Sequence, residues 1–187
     1  ETPTTVTGLS DVVDIAVGFS MALAKTSDGK IYGWGECPTQ TSTALYGTPT
    51  ELTVGGTVTQ MCGANGAIML LLSDGTVKSA GGNHAGQLGD GTTTTSSSAF
   101  VDVSITDVSK IACGGYHRCA IKNDGKLFCW GSNSKGEVGD GTTVNKKTPT
   151  EILSGVIDVT MGFDSTCAVL SDKTVKCWGE NAGGRLG

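Results

Sequence analysis

Short runs of apolar and β-branched residues, interrupted by polar turn signals, cover most of this sequence. In residues 119–129 such runs lie on both sides of the turn sequence Asn123-Asp124-Gly125. An Asn-Asp-Gly loop between two such runs favours a β-hairpin whose Gly takes the left-handed position of the turn. The register that follows from this three-residue loop places Cys119 directly opposite Cys129. The pattern therefore predicts strands that are paired through tight turns.

The same pattern recurs four times along the chain. The turn aspartates, spaced 46, 50 and 48 residues apart, are Asp28, Asp74, Asp124 and Asp172. A Gly follows each Asp by seven residues, and a Trp follows by six in every copy but the second, where Ala80 replaces it. Such fixed offsets in four copies indicate a repeat protein. We divide the chain into a single array of four repeats, at approximately 1–47, 48–97, 98–147 and 148–187.

Composition favours an all-β chain and excludes two classes of partner. The 187 residues include 29 glycines, and only 37% of the residues are hydrophobic. The net charge of −5 argues against nucleic-acid binding, because phosphates are neutralised by clustered Lys and Arg. The apolar run at residues 67–72 is far too short to cross a membrane. We therefore expect no nucleic-acid partner and no membrane insertion.

Six of the seven cysteines occupy matched positions in the repeats. Cys119 with Cys129, and Cys167 with Cys177, lie five residues on either side of a turn Asp, and we predict that each pair forms a cross-strand disulfide. Free buried thiols are the alternative, and a zinc site fits less well because the spacing is not that of zinc ligands. A further possible disulfide joins Cys62 to Cys113, whereas Cys37 has no obvious partner. Because disulfides persist in oxidising compartments, we expect an extracellular or cell-surface protein.

The third copy, "GGYHRCAIKNDGKLFCWGSNSKGEVGDGTT" at residues 114–143, carries the full set of repeated residues. It closely resembles the repeat of the regulator of chromosome condensation family, and the resemblance extends over essentially the whole chain. The first copy departs from the pattern, because residues 35–47 read "GECPTQTSTALYG". The cysteines in the hairpins are similar to those of secreted members of the family.

The resemblance implies that each repeat forms a four-stranded antiparallel blade. Family members typically close seven such blades into a ring, and this chain has four. The expected fold class is therefore all-β, with four propeller blades that form a partial or assembly-completed β-propeller. Unpaired strand edges and uncovered blade faces favour association. We expect either an oligomer or part of a longer chain.

No group of residues points to catalysis, and we expect no enzyme activity, no cofactor and no metal site. We interpret His117 as a structural residue that is bonded within its own blade, and His84 as part of a Gly-rich connecting loop. The "GDGTT" sequences at 89–93 and 139–143 lack the carboxylate density of a calcium loop. The Gly-rich stretches also lack the Lys and hydroxyl residue of a phosphate-binding loop.

The positions that vary between repeats are the candidates for function. Just before the position of His117, the copies carry the candidate interface residues Phe19, Ser20, Asn65, Tyr116, Phe163 and Asp164. In the family that the chain resembles, this turn lies toward one rim of the propeller channel, and exposed aromatic residues are good anchors for protein partners. The alternative is that Phe19 and Phe163 pack between blades.

We therefore expect a non-enzymatic extracellular repeat protein that acts as a protein-interaction module, with another protein or other copies of itself as partner. The alternative is a structural subunit of a self-assembling surface layer or filament. The resemblance also implies guanine-nucleotide exchange, the founding activity of the family, but the cysteine spacing and the acidic charge oppose it. A secreted enzyme inhibitor is a further possibility within the interaction-module class.

Overall fold

The computed structural model describes residues 2–38 and 47–187, which form fifteen β-strands and no helix. The strands make four antiparallel sheets that follow one another along the chain, and we call these blades 1 to 4. Blade 1 contains β1 (Val12–Val17), β2 (Met21–Thr26), β3 (Ile31–Gly35) and β4 (Thr50–Leu52). Blade 2 contains β5 (Val58–Gly63), β6 (Ala67–Leu72), β7 (Val77–Gly81) and β8 (Ser96–Asp102). Blade 3 contains β9 (Val108–Cys113), β10 (His117–Lys122), β11 (Leu127–Gly131) and β12 (Lys146–Leu153), and blade 4 contains β13 (Val156–Met161), β14 (Ser165–Leu170) and β15 (Val175–Gly179).

These sheets confirm the predicted all-β class and the blade architecture. The row of blades is not closed, and blade 4 has three strands where the others have four. The described part of the chain also contains no helix that could span a membrane.

The central hairpin of each blade has the predicted register. In blade 3, Cys119 lies opposite Cys129, and the Gly125 N–H donates to the Lys122 carbonyl at 2.9 Å. Gly125 has a φ of 80°, which is the left-handed position that the turn sequence predicts. In blade 4 this position is held by Lys173 with a φ of 72°, a conformation that costs a residue with a side chain more than it costs Gly.

The outer strand of each complete blade lies across or beyond the boundary of its own sequence repeat. Strand β4 follows the first repeat, and β8 and β12 straddle the ends of the second and third. Each outer strand then continues, within five residues or fewer, into the inner strand of the following blade. The chain therefore moves from one blade to the next along the outer edge of the earlier blade.

Successive blades pack face to face around three apolar clusters. Because side chains alternate along a strand, each blade presents two different faces. In blade 3, Ile121 and Leu127 contact blade 4, and we call this side the forward face. Ile111 and Trp130 contact blade 2, and we call that side the backward face.

Candidate protein-interaction site

Three disulfides engage six of the seven cysteines. Cys119–Cys129 and Cys167–Cys177 each cross a hairpin, with Cα atoms 4.1 Å apart in both cases. A third disulfide, between Cys62 and Cys113, joins the inner strands of blades 2 and 3, with Cα atoms 5.9 Å apart.

Cys37 is a buried free thiol. Burial raises its pKa to about 11, so the group stays protonated and is a poor nucleophile at neutral pH. Its Sγ fills the space that a side chain at Gly33 would occupy. Gly33 holds the hairpin position of Cys129 in blade 3, and Cys37 therefore fills the forward face of blade 1 from a different point of the chain.

The four turns that join the first and second strands of the blades lie side by side at one end of the array. We call them the turn cluster, and each blade contributes three residues to a shared depression. These residues are Val17, Gly18, Phe19, Gly63, Ala64, Asn65, Cys113, Gly114, Gly115, Met161, Gly162 and Phe163. The depression is therefore a surface that no single repeat could form.

Backbone and side-chain contacts hold the turn cluster together. The Phe19 N–H donates to the Ala64 carbonyl at 3.4 Å, and the Gly115 N–H donates to the Phe163 carbonyl at 2.9 Å. The rings of Tyr116 and Phe163 meet edge to face, with centroids 5.7 Å apart. The amide of Asn65 donates to the hydroxyl of the same tyrosine. All four blades are thus linked in pairs through this surface.

The aromatic residues of the turn cluster face outward. Phe19 is 80% exposed, Phe163 is 51% exposed and Tyr116 is 39% exposed. Phe19 therefore does not pack between blades, whereas the Phe163 ring is exposed on one side and rests on Gly115 and Tyr116 of blade 3 on the other. Sequence reasoning missed Val17, which is 72% exposed beside Phe19, because an apolar residue at the end of a strand reads as core.

Ser20 and Asp164 stabilise the turns mainly through hydrogen bonds to their backbone carbonyls. The Ser20 carbonyl accepts from the Glu36 N–H at 2.8 Å, and the Asp164 carbonyl accepts from the Glu180 N–H at 2.8 Å. Both side chains are half-buried. Burial raises the pKa of Asp164, and the neighbouring carboxylates of Glu137 and Glu180 raise it further.

Small residues allow the turns to touch. A Cβ at Gly18 would lie 2.6 Å from the Ala64 carbonyl oxygen, and a Cβ at Gly114 would enter the ring of His117. In blade 2 the residue that corresponds to Gly114 is Ala64, and Ala67 stands where His117 stands in blade 3. A methyl group is tolerated there because the neighbouring ring is missing.

His117 lies beneath the turn cluster and bridges two blades. It is fully buried, and its Nε2 lies 2.8 Å from Thr166 Oγ1 in blade 4. Since the Thr166 hydroxyl donates to the Glu137 carbonyl at 3.0 Å, Nε2 must be the protonated nitrogen. Burial lowers the pKa of His117 to about 3, and the adjacent Arg118 contributes to the lowering. The expectation that His117 is bonded within its own blade is wrong, because its hydrogen-bond partner belongs to the next blade.

Arg118 is a fully buried guanidinium that sequence reasoning did not single out. Its Nη1 donates to the carbonyls of Gly114 at 3.1 Å and His117 at 2.8 Å. Its Nη2 has no hydrogen-bond partner among the described residues. Burial lowers the pKa of Arg118 to about 10, which still leaves the group charged at neutral pH.

The turn cluster is suited to contact with the surface of another protein. Within residues 2–38 and 47–187 no three His, Cys, Asp or Glu side chains come together as metal ligands would. What the turn cluster offers is exposed aromatic area on a rigid floor of small residues, which is the chemistry of a protein contact.

Comparison with known proteins agrees with the fold. The family model described as "Regulator of chromosome condensation (RCC1) repeat" matches residues 12–36, 108–137 and 156–185, and a second model of the same description matches 124–169. No curated protein sequence matches the chain.

Solved structures that resemble this chain are propellers from several organisms. Human WBSCR16 is 23% identical, with a TM-score of 0.81 over 94% of this chain and 49% of that one. Yeast RCC1 (Prp20), in a structure with Kap60, is 19% identical, with a TM-score of 0.79 over 94% of this chain and 45% of that one. The ectodomain of the receptor kinase CR4 from Physcomitrella patens is 16% identical, with a TM-score of 0.61 over 94% and 44%.

This chain thus spans about half the length of the structures that it matches. At these identities the likeness shows the fold alone. The matched family models, however, together extend over more than half of the chain and include all of blade 4. With its four blades and repeated Trp-Gly hairpins, the chain belongs to the regulator of chromosome condensation repeat family.

Proposed function

We propose that this chain is a non-enzymatic protein-interaction module that acts outside the cell, and that its partner binds the turn cluster. The observation that carries the proposal is the exposure of aromatic side chains from three blades around one shared depression. Exposed aromatic residues at the centre of a contact supply most of its energy, because they bury a large area at little cost in side-chain entropy.

The rigidity of this surface also favours binding. The turns rest on one another through backbone hydrogen bonds, and the Cys62–Cys113 disulfide lies directly beside them. A surface that is already ordered loses little entropy when a partner docks. Yeast RCC1 is bound to Kap60 in its structure, which supports a protein partner for this fold.

The disulfides support the extracellular part of the proposal. Three disulfides in a chain of this size are typical of proteins that mature in an oxidising compartment. The CR4 propeller belongs to a receptor ectodomain, so an extracellular setting suits this architecture. Alkylation of the unreduced protein, isolated from its source and unfolded in urea, should label one thiol per chain, which is Cys37. Labelling of all seven cysteines would contradict an extracellular location.

The binding surface can be tested with a photo-crosslinking amino acid at position 19. Phe19 is replaced by benzoylphenylalanine, and the protein is irradiated in the extracellular fraction of its source. The matched control carries the same residue at Val144, which is 65% exposed on a loop of blade 3. We expect an adduct with a distinct protein from position 19 only, and loss of that adduct when Phe163→Ala is added.

Two outcomes would contradict the proposed site. The same adducts from positions 19 and 144 would show that the turn cluster has no preference for a partner. Adducts that contain only further copies of this chain would show that the surface does not recognise a separate protein.

A further inference from the structure

Asn65, in the blade 2 turn of the turn cluster, has a reactive neighbour in the sequence. Of the six asparagines in the chain, it alone is followed by Gly. The backbone nitrogen of the residue after an asparagine can attack the side-chain amide of that asparagine, and Gly favours the attack because it has no Cβ to obstruct it. The pair Asn65-Gly66 is therefore the point of this chain that is most open to loss of a side-chain amide.

The fold leaves the attacking nitrogen of this pair free. Gly66 lies between β5 and β6, and its N–H finds no acceptor in the part of the chain that the structure describes. Its φ of 64° lies in the left-handed region, and beyond its chain neighbours no described atom lies within 4 Å of the place where a Cβ would stand. The nitrogen is therefore accessible both to solvent and to the side chain before it.

The amide that would be lost makes a contact between blades. The Asn65 side chain is partly exposed, and its amide nitrogen donates to the Tyr116 hydroxyl of blade 3. Deamidation removes this nitrogen atom and leaves a carboxylate in its place. The reaction would therefore change both the charge of the turn cluster and the contact between two of its turns.

Other asparagines of the chain are protected or lack the Gly. Asn83 and Asn133 are fully buried, and hydrogen bonds within their own loops hold both ends of each amide. Asn123 is exposed in the hairpin turn of blade 3, but Asp124 follows it. Asn123 is therefore an internal reference for Asn65, because it is an exposed turn asparagine without the reactive neighbour.

We propose that Asn65 is a modification site, at which the folded chain converts the asparagine spontaneously into aspartate and isoaspartate. The Gly66 nitrogen loses its proton and bonds to the Asn65 Cγ, and the Cγ–Nδ2 bond breaks to release ammonia. Water then opens the succinimide ring. Cleavage between the Gly66 nitrogen and Cγ gives aspartate, and cleavage between that nitrogen and the backbone carbonyl carbon of residue 65 gives isoaspartate. Water is the only other reactant.

Isoaspartate would alter the shape of the turn as well as its charge, because it adds a methylene group to the main chain. The Ala64 N–H donates to the Ala67 carbonyl at 2.9 Å across this turn, and the Ala64 carbonyl accepts from the Phe19 N–H at 3.4 Å. A longer main chain between Ala64 and Ala67 would disturb both bonds. The modification is a property of the chain itself and does not rest on the proposed function.

Incubation of the folded protein at mildly alkaline pH tests the proposal. Digestion and mass spectrometry then measure the amide-to-acid conversion at positions 65 and 123 in the same sample. We expect conversion to be at least about tenfold faster at Asn65, because only this residue precedes one without a Cβ. An isoaspartyl methyltransferase with labelled S-adenosylmethionine should label the incubated protein. Equal rates at the two positions, or an unchanged Asn65 in the folded protein when the urea-unfolded chain converts, would overturn the proposal.

Two variants test the neighbour and the hydrogen bond separately. Gly66→Ala keeps the asparagine, and there is room for its Cβ; we expect about tenfold slower conversion at Asn65. Tyr116→Phe keeps the ring but removes the hydroxyl that holds the amide, so conversion should be about fivefold faster, the factor that one lost hydrogen bond gives. Conversion of Gly66→Ala at the wild-type rate, or of Tyr116→Phe more slowly than the wild type, would contradict the mechanism.

Discussion

At the scale of single residues, the surroundings of His117 set a pH dependence. Its pKa is about 3 in the folded chain and 6.5 in the unfolded chain, so at mildly acidic pH the unfolded state binds the proton first. The buried, neutral imidazole makes its full contribution to the free energy of unfolding above pH 6.5, and this contribution is lost as the pH falls toward 3. The loss approaches about 1.4 kcal/mol per pH unit, which is the free-energy equivalent of one pKa unit.

We therefore expect the free energy of unfolding to fall below pH 6.5 more steeply in the wild type than in His117→Gln. Urea unfolding, followed at several pH values above the range in which aspartates titrate, measures the difference. Equal slopes for the two proteins would mean that the imidazole is protonated in the fold or reached by water.

Arg118 lies beside His117, and among the described residues no carboxylate pairs with it. A buried charge without a paired opposite charge costs solvation free energy that two carbonyl contacts do not fully offset. Blade 2 has Ile68 at the same position, fully buried. We expect Arg118→Ile to leave the fold unchanged or to increase the free energy of unfolding, by up to about 3 kcal/mol, in urea titrations.

The control for this substitution is Lys110→Ala on the neighbouring strand. Lys110 forms a half-exposed ion pair with Asp158 at 2.5 Å, and its removal should change stability by less than about 1 kcal/mol. A marked loss of stability in Arg118→Ile, with little effect in the control, would show that the guanidinium has a partner that the fold needs.

At the scale of the strands, the sequence predicts those pairings that turn residues determine locally. The register of the hairpin around Gly125 follows from three turn residues, and the pairing of Cys119 with Cys129 follows from the register. The family resemblance implied a fourth strand in each blade, but the positions of the outer strands were not predicted, because β4 and β12 pair with strands that lie about fifteen residues earlier in the chain. Their partners are chosen by blade packing, which no local motif encodes.

The candidate site also combines features that the sequence predicts with features that depend on blade packing. Comparison of the repeats identified Phe19, Tyr116 and Phe163, because they stand at two adjacent repeat positions where the copies differ. Their exposure could not be read from the sequence, since it depends on how neighbouring blades place the turns. Arg118 was missed for the same reason, because an Arg in an alternating strand reads as a solvent-facing residue.

The two hairpin disulfides offer a matched test of the effect of a neighbouring blade. Both close loops with a sequence separation of 10, but Cys119 and Cys129 are fully buried against blade 4, whereas Cys167 and Cys177 lie half-buried on the open forward face. In dilute protein we expect dithiothreitol to reduce Cys167–Cys177 first and Cys119–Cys129 only after blades separate. Alkylation of the released thiols, followed by peptide mass spectrometry, gives the order. Equal rates would show that blade packing does not protect the inner disulfide.

At the scale of the whole molecule, the array behaves as a line of units that stabilise their neighbours. In such arrays the free energy of unfolding is approximately a sum of unit terms and interface terms. Blades 2 and 3 each have two covered faces, whereas blades 1 and 4 each have one.

The end blades should therefore open locally before the array unfolds. Amide hydrogens of β2 and β14 should exchange faster than those of β6 and β10, although all four are central strands with ladder hydrogen bonds on both sides. Hydrogen exchange measured by mass spectrometry in dilute, dispersed protein tests the order. Uniform protection along the chain would mean that the blades unfold as a single unit.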